Sequence, residues 1–190
     1  VNKELSMVQK QELQTVEKQT IAKYAASLIE PDDCVYLDAG TTTGWMIEYI
    51  REEKATYVTN ALSHAKRLAD KGFCVILIGG EPKSSTDAIV GAEAVLNLQK
   101  YHFSKGFFGV NGVDRTSGFT TPDAKEAMVK LVAVKNTQSA HRYFLTTSAK
   151  FGEVYAVTFA GFEGGVILTE DNVSEVLPKS IAVVNVNEQN

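Results

Sequence analysis

The chain has 190 residues, of which 44% are hydrophobic, so it can bury a core in one domain or in one domain with a small subdomain. Its formal net charge of -4 argues against direct binding to nucleic acid, because such binding depends on neutralising phosphate groups. No apolar run of about eighteen residues occurs, so we expect neither a membrane span nor a signal peptide and interpret the chain as cytoplasmic.

The two cysteines, Cys34 and Cys74, lie in apolar runs, a position typical of buried free thiols rather than of a disulfide framework. The three histidines, His64, His102 and His141, are scattered, and neither cysteine has a Cys or His neighbour at metal-ligand spacing. We therefore predict no metal site and no cofactor.

The predicted elements alternate between helices and short apolar strands. Residues 1–16 are polar and favour a linker or a frayed helix. The apolar spacing then predicts helices over 17–29, 45–50, 63–70, 88–98 and 123–135, and strands over 34–37, 57–59, 73–78, 106–110, 143–146, 165–168 and 181–186. Such strands suit a parallel sheet that is covered on both faces. The simplest fold is one α/β domain with an open, mostly parallel, doubly wound sheet.

A run of small and polar residues, 38–44, follows the first predicted strand. Gly40 permits a tight turn, and Thr41, Thr42 and Thr43 offer hydroxyls beside the free N–H groups of a helix start, which attract anions. We predict that this run binds a phosphate group. The alternative is that Thr42 or Thr43 merely caps the helix. The spacing fits neither a P-loop nor a dinucleotide fingerprint.

Three more predicted strands end in similar residues. Each alone is more often a plain turn, but adjacent parallel strands would bring all four ends to one edge of the sheet and form a polar cleft. These further candidates are Thr59, Asn60, Gly79, Gly80, Gly109, Asn111 and Gly112.

Lys83, Lys130 and Lys150 are the cations that could meet a phosphate or sugar oxygen. Lys130 follows Glu126 at i,i+4 spacing, so it is either a ligand contact or half of a surface ion pair. Lys150 comes shortly after a predicted strand and faces either the site or solvent. Asp38 could stand beside a sugar hydroxyl, but no nucleophile elbow or closely spaced acid pair occurs, and we assign no catalytic residue.

Nine groups of residues, taken together, resemble the sensor domain of bacterial DeoR-family transcriptional repressors in order and spacing. The resemblance covers about residues 17–186. The groups are 17–18 with 21–23, 37–43, 59–60, 79–80, 91–94, 108–114, 118–121, 126–130 and 148–152.

The resemblance implies a fold similar to ribose-5-phosphate isomerase and the coenzyme A transferases, used to sense a phosphorylated sugar rather than to convert it. Residues 17–190 would form the effector-binding domain. Residues 1–16 would be the remnant of a linker to an N-terminal winged helix-turn-helix domain, absent from this chain, through which operator DNA is bound. The family commonly forms homodimers or homotetramers and controls genes of carbohydrate metabolism.

One segment departs from the family pattern. The family usually has an Asp two or three residues before a Ser-Lys-Phe-Gly type segment, where this chain has Thr146 and Thr147, and Ala149 separates Ser148 from Lys150. A Thr accepts a hydrogen bond but brings no charge, which leaves the effector preference open.

Our hypothesis is that the phosphate lies on Gly40 to Thr43, with Lys130 or Lys150 near an oxygen and with Asp38 and Asn111 contacting the sugar. An active sugar-phosphate isomerase or deaminase of the same fold is the main alternative. The enzymes that this fold resembles carry closely spaced acids where this chain has one acid in the segment that follows the strand 106–110. A third possibility is an oligomerisation module with a vestigial cleft.

Overall fold

The computed structural model describes residues 6, 14–173 and 175–189. Most of the predicted linker, 1–16, lies outside this range. Within it, no helix has both the length and the apolar character needed to cross a membrane. The helices are α1 (Thr15–Ser27), α2 (Thr41–Tyr49), α3 (Leu62–Asp70), α4 (Ala92–Leu98) and α5 (Ala124–Lys135). The strands are β1 (Cys34–Leu37), β2 (Thr56–Thr59), β3 (Cys74–Leu77), β4 (Glu81–Lys83), β5 (Ala88–Val90), β6 (Lys105–Gly109), β7 (Gly112–Asp114), β8 (Gly118–Thr121), β9 (Arg142–Leu145), β10 (Val157–Ala160), β11 (Gly165–Thr169) and β12 (Ile181–Asn185).

A seven-stranded sheet in the order β12-β11-β9-β6-β1-β2-β3 forms the centre of the domain. Every neighbouring pair in it is parallel. Successive side chains of a strand point to opposite faces, so Val35 and Leu37 enter one core layer and Tyr36 enters the other. Helices α1, α2 and α3 supply apolar side chains to the first layer, and α4 and α5 supply them to the second. The predicted doubly wound α/β fold is therefore confirmed.

Two small antiparallel sheets were not predicted: the pair β4-β5 and the sheet β10-β8-β7. The predicted helix 88–98 is wrong in its first turn, because Ala88 to Val90 pair with β4 and Gly91, at φ 98°, ends the strand before α4 begins. Residues 115–117 form the turn between β7 and β8, and Phe119 of β8 packs in the core.

The run 73–78, predicted to be buried on both faces, forms the edge strand β3. Ile76 and Leu77 are exposed because no strand pairs with the outer side of β3 in the described part of the sheet. Cys74 is exposed and Cys34 is half-buried, so the expectation of two buried thiols is wrong, while both are free.

A cluster of stacked phenylalanine rings fills the core layer under α5. The ring of Phe144 lies 3.9 Å from that of Phe119, centre to centre, at an interplanar angle of 8°. It also meets Phe108 at 5.6 Å and Phe159 at 6.3 Å. These contacts join β8 and β10 of the small sheet to β6 and β9 of the main sheet.

We expect Phe144→Ala to lower the free energy of unfolding by about 3 to 5 kcal/mol, because it leaves a cavity among buried rings. Leu96→Ala, at an exposed position on α4, is the control and should change it by less than about 0.5 kcal/mol. Urea denaturation measures both. A loss below about 1 kcal/mol in the Phe144 variant would contradict the packing described here.

Candidate functional site

The candidate site lies where the order of the main sheet changes direction. From β1 the chain continues to β2 and β3 on one side, whereas β6, β9, β11 and β12 lie on the other. Ligands of open α/β sheets bind at the carboxyl ends of the strands beside such a point. The strands β6, β1, β2 and β3 are adjacent and parallel, so the four predicted strand ends do lie along one edge.

The phosphate-loop candidates form the start of α2. This helix begins at Thr41, four residues earlier than predicted, and its N-cap is Gly40 at φ 150°, a conformation that favours glycine. The interpretation that Thr42 or Thr43 caps the helix is wrong, since both lie inside its first turn. The first intrahelical hydrogen bond runs from Gly44 N–H to the Gly40 carbonyl at 3.1 Å.

The N-terminus of α2 is open. No side chain in the described part of the chain caps it, so the N–H groups of its first turn point outward without an acceptor. In two other helices a carboxylate accepts a hydrogen bond at the N-terminus. Asp87 accepts from Ser63 N–H in α3, and Asp123 accepts from Lys125 N–H in α5. An uncapped first turn with the positive end of the helix dipole attracts an anion.

Lys18 brings a positive charge to this helix start. Its ammonium donates to the Thr41 hydroxyl at 2.8 Å, and the residue is only 5% exposed. Sequence reasoning did not select Lys18 as a site residue. A signal was present, however, because Lys18 shares the helical face of the buried residues Ile21, Ala22 and Ala25.

Thr43 and Asn60 hold the loop from behind. The fully buried Thr43 hydroxyl donates to the Asp38 carbonyl at 2.6 Å. Asn60 accepts from Ala39 N–H and donates to the Ile89 carbonyl, both at 3.1 Å. Thr59 donates to the Leu37 carbonyl at 2.6 Å. These polar atoms are engaged within the protein, so they fix the loop rather than face a ligand.

Asp38 and Lys130 form a buried ion pair that also includes Gly109. The two residues are 1% and 6% exposed. The Lys130 ammonium donates to the Asp38 carboxylate and, at 3.0 Å, to the Gly109 carbonyl, while Gly109 N–H donates to Asp38 at 3.0 Å. Burial raises the pKa of Asp38, and the adjacent ammonium opposes this.

The i,i+4 surface pair between Glu126 and Lys130 is not formed. Glu126 instead accepts from Lys83 at 2.9 Å and from the Thr86 hydroxyl at 3.1 Å. Lys83 also pairs with Asp123 at 2.6 Å. Lys83 therefore ties the small β4-β5 sheet to α5.

Among the described residues, no hydrogen bond joins the remaining predicted residues to the start of α2. Gly79 and Gly80 are exposed after β3, and Gly112 lies in β7. The Asn111 side-chain oxygen accepts from Thr121 at 3.2 Å. The Lys150 ammonium, within the part of the chain described, has neither a hydrogen bond nor an ion pair, and burial lowers its pKa.

A pocket of about 480 Å3 adjoins the loop between α2 and α3. It was not predicted. His64 is 2% exposed in its wall, and its Nε2 lies 3.1 Å from the Thr43 hydroxyl. Burial lowers the pKa of His64 to about 4, and the positive charge of Arg67 contributes to this. Among the described residues, no group of three or more His, Cys, Asp or Glu could hold a metal ion.

The sequence model of the DeoR C terminal sensor domain matches residues 13–172. The chain belongs to this family. The HTH-type transcriptional regulator FruR of Bacillus subtilis (strain 168) is 42% identical to the sensor domain over 169 residues, which are 88% of this chain and 66% of the regulator. The lactose phosphotransferase system repressor of Staphylococcus aureus (strain NCTC 8325 / PS 47) is 38% identical over 154 residues, 80% of this chain and 60% of the repressor. The sensor domain thus spans less than two thirds of these relatives.

Solved structures share the fold of the sensor domain. Ribose 5-phosphate isomerase A from Neisseria gonorrhoeae superimposes with a TM-score of 0.52 at 12% identity, over 76% of this chain and 55% of the isomerase. For eIF2B delta from Chaetomium thermophilum the TM-score is 0.51 at 17% identity, over 74% and 50% of the two chains. At such identities the likeness shows the fold alone, and it confirms the fold that the family resemblance implied.

We expect His64 to make the sensor domain less stable in acid. The pKa is about 4 in the folded domain and about 6.5 in the unfolded chain. Between these pH values the unfolded chain binds more protons, so the free energy of unfolding falls as pH is lowered through this window, by about 3 kcal/mol from this group.

His64→Gln removes this titration. The difference in unfolding free energy between the native domain and the variant should therefore shrink by about 3 kcal/mol from pH 7 to pH 4. Denaturant unfolding at several pH values measures it. Parallel pH profiles of the two proteins would contradict a buried, neutral His64.

Proposed function

We propose that this sensor domain binds a sugar phosphate and that the binding controls the affinity of a transcriptional repressor for operator DNA. The observation that carries the proposal is the uncapped N-terminus of α2, with Lys18 beside it, at the direction change of the sheet. Backbone N–H groups, a helix dipole and an ammonium group form a site for a phosphate.

In this proposal the phosphate oxygens accept hydrogen bonds from the N–H groups of Thr41, Thr42 and Thr43 and from Lys18. Lys150 is available to a further anionic or hydroxyl oxygen, because its ammonium has no hydrogen bond or ion pair within the described residues. Asp38 and Lys130 neutralise each other behind the loop. They act as positioning residues, whereas the sequence hypothesis put Asp38 on the sugar and Lys130 or Lys150 near an anionic or hydroxyl oxygen.

The regulatory part of the proposal is supported by the relatives, which are named as a transcriptional regulator and a repressor. Residues 17–190 would be the effector-binding domain and 1–16 part of a linker to a DNA-binding domain. In a homodimer or homotetramer, the effector changes operator affinity by binding two subunit arrangements unequally. A difference of about 1 to 3 kcal/mol is sufficient. The genes controlled would belong to carbohydrate metabolism.

Isomerase activity is the less favoured reading of this fold. The sequence relatives are regulators, and the carboxylate of Asp38 is buried and bound to Lys130. A general base must reach the proton that it removes. Incubation of the domain with ribose 5-phosphate and detection of the ketose product tests this alternative.

We expect Lys18→Met to weaken sugar-phosphate binding by about tenfold to a hundredfold, because a charge-assisted hydrogen bond contributes about 1.5 to 3 kcal/mol. Lys23→Met, an exposed lysine of the same helix, is the matched control and should leave the affinity unchanged. Isothermal titration calorimetry with a panel of hexose and pentose phosphates measures both. Equal affinities for the two variants would contradict a phosphate site at Lys18.

The regulatory step is tested in the complete repressor that contains this domain. A sugar phosphate that binds the domain should change the affinity of the repressor for operator DNA about fivefold or more, in agreement with a coupling above 1 kcal/mol. Fluorescence anisotropy of a labelled operator measures the change, with the unphosphorylated sugar as the control. An operator affinity that stays the same with every sugar phosphate that binds would contradict the proposal.

A further inference from the structure

The pocket between α2 and α3 continues directly from the phosphate loop. Its volume of about 480 Å3 is within the usual range for small-molecule sites. Gly40 and Thr41 line it at one end, so a ligand whose phosphate lies on the α2 N-terminus can extend into it. The remaining lining residues are Gly44, Trp45, Glu48, Ser63, His64 and Arg67.

His64 carries an unused hydrogen-bond acceptor in this pocket. The Thr43 hydroxyl gives its proton to the Asp38 carbonyl at 2.6 Å, so it can only accept from His64 Nε2 at 3.1 Å. Nε2 therefore carries the ring proton of the neutral imidazole, and Nδ1 is left as an acceptor. Nδ1 is buried and has no hydrogen-bond partner among the described residues.

A buried acceptor without a partner costs free energy, which a donor from a ligand would recover. The missing partner must be a donor such as a hydroxyl group, because a phosphate oxygen or a carboxylate would oppose the lone pair of Nδ1. The chemistry of this atom therefore differs from that of the neighbouring phosphate loop.

The surroundings of Nδ1 suit a ligand group that both donates and accepts hydrogen bonds. Arg67 and Glu48 form a half-exposed ion pair at 3.0 Å, and Trp45 adds an aromatic wall. A Cβ atom added to Gly44 would lie 3.6 Å from Arg67 Nη1. The half-exposed arginine can re-orient toward a ligand, since exposed long side chains change rotamer readily.

Gly44 places no side chain against the His64 ring. A Cβ atom at this position would lie 3.1 Å from Cε1 and 3.8 Å from Nδ1 of His64. Gly44 is inside α2, where glycine is less favourable for the helix than alanine. Nδ1 is buried in this structure, so a ligand hydroxyl reaches it when Arg67, whose Nη1 lies beside the same position, re-orients.

We propose that the sugar part of the effector enters the pocket between α2 and α3, where His64 Nδ1 accepts a hydrogen bond from a sugar hydroxyl. This inference rests on the proposed function, because the phosphate stays on the α2 N-terminus. It assigns specificity for the hydroxylated part of the ligand to Gly44, His64 and Arg67. Asp38 and Lys130, whose charged groups satisfy each other, do not line this pocket.

The test compares Gly44→Ala with the native domain by calorimetry, using a sugar phosphate and inorganic phosphate as ligands. We expect the variant to bind the sugar phosphate at least tenfold more weakly and to bind inorganic phosphate as before, because the added methyl group blocks Nδ1 and not the loop. Gly161→Ala, where no atom lies within 4 Å of the added Cβ, is the matched control.

A spectroscopic measurement on the native domain does not depend on the folding of a variant. The imidazole Nδ1 resonance of His64 in a nitrogen-15 spectrum, assigned with His64→Gln, should shift on addition of the sugar phosphate and not on addition of inorganic phosphate. A resonance that does not shift when the sugar phosphate is added overturns the inference.

The remaining outcomes separate the two proposals. An unchanged affinity of Gly44→Ala for the sugar phosphate overturns this inference and directs the sugar toward Lys150, while the proposed function stands. Equal weakening of both ligands also overturns it, since Gly44 would then act through the loop. Failure of the native domain to bind any sugar phosphate overturns both proposals.

Discussion

The carboxylate of Asp38 and the ammonium of Lys130 are both removed from water at the point where the sheet changes direction. They lie 92 residues apart in the chain, and Gly109 bonds to each of them, so the pair joins β1, α5 and β6. Desolvation of each ion costs several kcal/mol, and loss of either partner leaves an uncompensated charge in the interior. The relative position of these three elements is therefore strongly constrained, and α2 begins at Thr41, three residues after Asp38.

The polar atoms around this pair divide into two sets. One set is satisfied inside the protein: Thr43 bonds to the Asp38 carbonyl, and Asn60 bonds to Ala39 and Ile89. The other set is open: the first-turn N–H groups of α2 have no side-chain cap, and His64 Nδ1 has no partner among the described residues. The satisfied set makes the loop rigid, and a rigid loop can hold open hydrogen-bond groups without the conformational entropy cost of ordering them on binding. Binding specificity then resides in the open set.

The sensor domain shares its fold with enzymes such as ribose 5-phosphate isomerase A but belongs to the DeoR C terminal sensor domain family. A fold does not determine a function, because function depends on the groups placed at the strand ends. Here the acid at the end of β1 is neutralised by a lysine, and Lys18 of α1 bonds to the helix start. These features favour binding of a ligand rather than its chemical conversion.

The sequence by itself determined the fold class, most of the elements of the main sheet, the strand ends that meet at one edge, and the family, because these depend on local periodicity and on short motifs in a fixed order. It placed 88–98 in one helix, since apolar spacing over so few residues does not separate a buried strand from a helix turn. Only the tertiary structure decided which polar groups are free. Lys130 bonds to Asp38 and not to Glu126, Lys18 reaches Thr41, and His64 faces a pocket. Partners in a hydrogen bond are chosen by distance in space, and residues such as Asp38 and Lys130 become neighbours only when the sheet and its helices have packed.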